Sequence, residues 1–141
     1  MKYIILMIVF FVHIDANEIS YTKVKNSVID EKNRLMWQDN SEVKKYLETF
    51  VTAKIYCENT VLNGYIDWRV PSIEELQQIV DLRNTNAINK KFKYIQAGLY
   101  QSKSLFVKDT QYVWIVDFTT GKTTLSLAKD QKYIRCVRDI L

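Results

Sequence analysis

Asp67-Trp68-Arg69-Val70-Pro71-Ser72-Ile73-Glu74-Glu75-Leu76 carries a strand end, a breaker and a helix start in consecutive residues. Pro71 disfavours the helical region for the residue before it, so Trp68 to Val70 reads as a short strand or its end. Ser72 and Glu75 have the S-x-x-E spacing in which each side chain satisfies the other's backbone amide, and they open a helix. Ile73, Leu76, Ile79 and Val80 supply its core face. Glu74 and Glu75 are neighbours, so on a helix they point about 100° apart. First-turn acids complement the helix dipole, and the pair is not read as an acid–base couple. Trp68 anchors the junction, while Asp67, two residues before Arg69, is placed to pair with it and cap local backbone.

Upstream, residues 28–39 (VIDEKNRLMWQD) read as a hairpin. Val28-Ile29 and Leu35-Met36-Trp37 flank a polar turn in which Asn33 suits a left-handed position. Residues 42–62 show helical spacing, with Tyr46, Phe50, Ala53, Cys57 and Val61 on one stripe, Ser41 as N-cap and Asn63-Gly64 as the stop. Downstream, residues 82–108 are the least regular stretch. Residues 112–118 (YVWIVDF) are a strong strand, the chain turns at Gly121, and 123–127 can pair back. Residues 132–137 (KYIRCV) read as the last strand. If that strand is extended throughout, Arg135 and Arg138 lie on opposite faces. Trp37 and Trp114 read as core. The pattern is α+β, and the length suits one domain.

Residues 1–16 read MKYIILMIVFFVHIDA. Lys2 supplies a positive start, Tyr3 to Val12 an unbroken apolar run too short to span a bilayer, and Ala16 a small residue for cleavage. We read 1–16 as a secretion signal and 17–141 as the exported domain, periplasmic or at the cell surface. The alternatives are a retained anchor or a buried strand. In an oxidising compartment an even pair of cysteines defaults to a disulfide between Cys57 and Cys136. Closing a loop of about 80 residues would stabilise the fold by up to about 4.5 kcal/mol in the chain-entropy account. Two buried free thiols are the alternative. A redox pair ranks last, because C-x-x-C is absent.

The only histidine, His13, lies in that leader. The domain therefore lacks the base of a Ser-His-Asp or Cys-His hydrolase and has no imidazole for zinc. Three glycines cannot build a glycine-rich phosphate loop. No catalytic residue, metal or cofactor is read from the sequence. Its charge pattern carries more. Between Asp81 and Asp109 there is no acid, while Arg83, Lys90, Lys91, Lys93, Lys103 and Lys108 are basic in a chain of net charge +4. Phe92, Tyr94, Tyr100 and Phe106 interleave them. That composition suits an exported anionic polymer with apolar faces rather than nucleic acid, although lysine-rich solvated loops share it.

Leu35-Met36-Trp37-Gln38, Ala53-x-x-Tyr56-Cys57, Gly64-Tyr65-x-Asp67-Trp68-Arg69-Val70-Pro71-x-x-Glu74-Glu75-Leu76, Trp114-x-Val116-x-Phe118-x-x-Gly121 and Arg135-Cys136-Val137-Arg138 follow one another in this order. In order and spacing they resemble the Lcl C-terminal domain family, named from a bacterial collagen-like adhesin, from about residue 28 to 138. The resemblance implies an exported, disulfide-bridged α+β domain related to C-type-lectin-like and formylglycine-generating-enzyme-like folds. There, two helices and a long irregular loop wrap a small antiparallel sheet. It supports a Cys57–Cys136 bridge, since both fall on motif positions, and makes Trp37, Asp67, Trp68, Arg69, Pro71, Glu75, Trp114, Arg135 and Arg138 family positions that we read as structural. The namesake domain binds sulfated glycosaminoglycans and helps cells adhere. This chain carries no collagen-like repeat, and Tyr100-Gln101-Ser102 stands where the family usually has Tyr-Trp-Ser. Having Pro71 as its sole proline, it has no Glu-Pro-Asn calcium-lectin signature. The expectation is a non-catalytic module that binds anionic glycans through 82–108. The alternative is an interaction subunit of a cell-envelope protein complex.

Overall fold

The computed structural model describes residues 20–141; the leader read at 1–16 lies outside them. Two sheets form an α+β architecture. The first runs β1 (Tyr21–Val24), β2 (Ser27–Asp30), β3 (Leu35–Gln38) and β9 (Val137–Asp139), antiparallel throughout. The second has the order β4 (Leu47–Glu48), β8 (Lys132–Tyr133), β5 (Leu99–Leu105), β6 (Tyr112–Asp117) and β7 (Lys122–Leu127). It is antiparallel except where Tyr100 meets Tyr133 in parallel. Helices α1 (Phe50–Glu58) and α2 (Ile73–Gln78) pack beside them.

The expected hairpin is β2–β3, but Arg34 rather than Asn33 takes the left-handed position, with φ 55°. Asn33 is held back by the buried Asp30, whose carboxylate accepts its backbone amide at 3.0 Å and its side-chain amide at 2.7 Å. Helix α1 is much shorter than the 42–62 stripe. A reciprocal Thr49–Thr52 capping box starts it at Phe50, and Ser41 opens only a short 3-10 turn, Ser41–Lys44. Leu47–Glu48 is instead drawn into the second sheet against β8. Of the stripe, Ala53 and Cys57 are buried, whereas Tyr46 and Val61 are exposed. The Ser72–Glu75 box forms as expected and opens α2, burying Ile73 and Leu76. The irregular stretch is shorter than 82–108, because β5 begins at Leu99.

The last strand is really two. Lys132–Tyr133 belongs to one sheet and Val137–Asp139 to the other, and Ile134–Cys136 crosses between them. Gln38 replaces the missing ladder: its amide donates to the Cys136 carbonyl at 2.9 Å, and its side-chain oxygen accepts the Cys136 amide at 3.1 Å. Arg135, in the crossing, and Arg138, on β9, are both buried.

Two apolar clusters result. One gathers Trp37, Leu76, Ile79, Tyr100, Val116 and Phe118; the other gathers Met36, Ala53, Trp68, Val70 and Ile134 around the bridge. Cys57 and Cys136 are joined across 79 positions, with Cα atoms 5.6 Å apart. Trp37 is core, as expected; Trp114 is half-buried, edge-on to Phe106 at 5.6 Å. Gln101, at the family's tryptophan position, is buried, with its amide nitrogen on the Ser102 carbonyl at 2.7 Å.

Gly121 and Gly64 both have positive φ, 78° and 79°. A Cβ on Gly121 would meet Leu82 Cδ2 at 2.5 Å and Val80 Cγ1 at 2.9 Å, whereas Gly64 has open space around it. Gly64→Ala should therefore cost about 1 kcal/mol, the conformational term alone. Gly121→Ala should cost roughly 2–3 kcal/mol, as the clash adds to it. Paired urea titrations test this, and equal midpoints for the two variants would refute it.

Candidate functional site

The segment that carries the basic residues is fastened by one carboxylate. Asp39, directly after β3, is fully buried. Its two oxygens accept the backbone amides of Lys93 and Tyr94, each at 2.9 Å. They also take the Lys23 ammonium and Nη1 of Arg135, the latter at 3.2 Å. Burial by itself would raise the pKa of this carboxyl. The Lys23 hydrogen bond, the two amides and the Arg135 charge outweigh it and hold Asp39 below its ordinary value. Arg135, also fully buried, donates to the Gln38 carbonyl at 2.7 Å and to the Tyr94 carbonyl. Its guanidinium lies 4.7 Å from the Phe92 ring centre.

This clamp sets Tyr94, half-buried, beside two cations. Lys93 Nζ lies 5.3 Å and Lys23 Nζ 6.0 Å from its ring centre. Lys90 is exposed and Lys91 half-buried on the preceding turn, where the Lys91 amide donates to Asn89 Oδ1 at 3.0 Å. The other basic residues of the stretch sit elsewhere. Arg83 turns onto Asp81, with Nη2 on its carboxylate at 2.9 Å. That hydrogen bond, helped by the charge of Lys90, lowers the Asp81 pKa. Lys103 is exposed on β5, and its charge helps lower the Asp139 pKa, which hydrogen bonding from Arg69 lowers most. Lys108 is exposed in the β5–β6 turn. Thus the structure brings Lys93 together with Lys23, and distributes Arg83, Lys103 and Lys108 over other elements.

The family positions around α2 form a second network. Arg69 does not pair with Asp67 as expected. It grips Glu75 with two hydrogen bonds of 2.8 Å and reaches Asp139 on β9 at 2.9 Å. Burial would raise the Glu75 pKa, but Arg69 and the Ser72 amide bring it below normal. Asp67 instead binds Arg138, with 2.7 and 3.1 Å contacts, and the Arg138 guanidinium stacks 3.7 Å from the Tyr65 ring centre. Trp68 is buried and donates to the Tyr65 carbonyl at 3.2 Å. Pro71 is buried and its carbonyl accepts the Lys103 amide. These residues tie the strand–helix junction to the last strand. Their carboxylates and guanidiniums are spent on one another.

Sequence reasoning missed Asp39, which it placed only as the last residue of the 28–39 hairpin, and Lys23. No local pattern could have found them, because Asp39 meets Lys93 and Tyr94 from 54 and 55 positions away. Among the described residues no group of three or more His, Cys, Asp or Glu side chains gathers to hold a metal. No helix among them is long and apolar enough to cross a membrane.

The molecule is thus an α+β domain with one long-range intrachain disulfide, a sheet-crossing arginine and a lysine-bearing loop held on a buried acid. The family model of the Lcl C-terminal domain matches residues 26–138, and the chain belongs to that family. No curated protein matches the sequence at a significant level.

Asp39→Asn leaves Arg135 buried without its counter-charge, which should cost about 3–5 kcal/mol. The native carboxyl, with its depressed pKa, contributes stability above the unfolded value of about 4 and loses it as pH falls through the folded value. Thermal melts from pH 7 down to 2 should show a steeper acid loss in the native protein than in the variant. Parallel curves would refute the role given to Asp39.

Proposed function

We propose that the protein is an exported, non-catalytic binding module that holds an anionic glycan on the edge where Lys23 and Lys93 approach Tyr94. The observation that carries this reading is the clamp itself. A half-exposed aromatic ring with two ammonium groups beside it rests on backbone fixed by Asp39 and Arg135. A sugar ring can lay its C–H face on Tyr94 while sulfate or carboxylate groups meet the lysines, with Lys90 and Lys91 extending the charge along the chain. Preorganisation matters here, since an ordered loop loses less entropy on binding than a mobile one. The disulfide supports a module that is not a thiol enzyme, because both cysteines are committed to it. Together with the apolar leader at 1–16, it favours an oxidising location outside the cytoplasm. The likeness to C-type-lectin-like folds belongs with this reading and rests on the motif order. A second reading, an interaction subunit of an envelope complex, is favoured by the exposed Val51 and Ile55 on α1.

The test is the sodium chloride concentration that elutes the oxidised protein from immobilised heparin. Elution should come well above physiological salt, and Lys90→Glu/Lys91→Glu/Lys93→Glu should move it below. Tyr94→Ala should weaken retention a few-fold while leaving the salt slope unchanged, since it removes a contact but no charge. Elution of the native protein below physiological salt, or an unmoved triple variant, would reject the glycan reading.

A further inference from the structure

A surface helix ordinarily turns polar residues to water. Helix α1 turns Thr52 and the ion-paired Lys54 and Glu58 outward, with Ala53 and Cys57 on its inner side, yet Val51 and Ile55, one turn apart, are also 67% and 53% exposed. Beside Ile55 opens a cleft of about 470 Å³, walled by Asn40, Glu42, Glu48, Tyr56 and Val61. Val61 is itself 71% exposed, so the apolar strip continues across the cleft from the helix. Among the described residues neither lysine nor arginine lines it, although the chain has 20 of them against 16 acids. The acidic wall is held in place. The Tyr56 hydroxyl donates to Glu42 Oε2 at 2.8 Å and accepts from the buried Gln38 side chain at 3.1 Å. The Tyr46 and Tyr56 rings lie against each other at 5.4 Å. The Glu48 carboxylate has no hydrogen-bond or ion-pair partner among the described residues.

We infer that this face docks a basic amphipathic segment of a protein partner. One lysine or arginine of the segment lies between Glu42 and Glu48, and its apolar neighbours cover Ile55, Val51 and Val61. Charge complementarity selects this occupant. Two carboxylates repel an anionic glycan, and a small cation alone would leave the strip along α1 uncovered. Two acids beside exposed aliphatic side chains match a polypeptide that carries both cationic and aliphatic side chains. The inference is independent of the glycan reading, whose residues are Lys23 on β1 and those of the 82–108 segment.

The probe is a short capped peptide of alternating leucine and lysine, titrated into the oxidised protein and followed by amide chemical shifts. A leucine–glutamate analogue is run beside it. The lysine peptide should bind saturably, with shifts concentrated at residues 40–61. Glu42→Gln/Glu48→Gln should bind it at least about fivefold more weakly, as loss of about 1 kcal/mol requires. Glu42→Gln keeps an oxygen for Tyr56, so the variant retains its local fold. The glutamate peptide should leave 40–61 unshifted. Equal binding by the variant, or shifts concentrated elsewhere, would overturn the inference. So would sedimentation showing that the protein self-associates and that Ile55→Lys abolishes this, which would assign the face to a second copy. Failure on heparin leaves these outcomes untouched.

Discussion

Burying a carboxylate is costly unless the protein replaces the water it loses. Asp39 replaces it with two backbone amides, an ammonium and a guanidinium, drawn from three separate parts of the chain. That arrangement decides much of the rest. The amides fix residues 93 and 94, Lys23 ties in β1, and Arg135 positions the stretch in which the chain passes from one sheet to the other. Arg135 itself cannot be left unpaired in the core, so the two charges require each other. The Tyr94 edge is ordered because a charge pair beneath it is buried.

The disulfide reinforces the same region from the opposite side. Cys136 follows Arg135 directly, and both its backbone groups are bonded by Gln38, the residue before Asp39. A polar clamp and a covalent one thus meet at adjacent residues, 38–39 on one segment and 135–136 on the other. The Arg69–Glu75–Asp139 and Asp67–Arg138 networks then hold the residues that follow, so β9 is fastened along its whole length. Family positions that look like a binding triad in the sequence are fasteners of this seam.

Local chemistry was legible in the sequence; distant pairing was not. The Ser72–Glu75 box, the β2–β3 hairpin and the β6–β7 pairing all rest on interactions within a few residues or across one turn. Each appears where spacing and turn residues put it. The 42–62 stripe misled because helical periodicity cannot see that Leu47–Glu48 is claimed by β8, whose residues come some 85 positions later. The 132–137 strand misled for a related reason. Every residue in it suits a strand, and only the need to serve two sheets breaks it. Asp67 was matched to the nearest arginine, whereas its partner, Arg138, lies 71 positions on. Of the basic residues picked for their density, Lys93 does meet an aromatic ring on ordered backbone, but Lys23, the second cation beside that ring, stood outside the run.

The sheet crossing at 134–136 has a consequence for how the chain comes together in time. The meanders β1–β2–β3 and β5–β6–β7 are each contiguous and need only neighbouring residues. The Asp39 bonds to residues 93–94 and the cluster that holds Trp37 with Phe118 join them upstream, but β8, Arg135, Cys136, Val137 and Arg138, which complete the seam, lie in the final ten residues. A chain threaded N-terminus first through a ribosome tunnel or a translocation pore therefore carries two half-built layers, with Cys57 still unpaired, until its tail is released. The disulfide and the Arg135 pair then close last, and a chain cut short by those residues keeps only the Asp39 bonds to the loop and the apolar contacts between its layers.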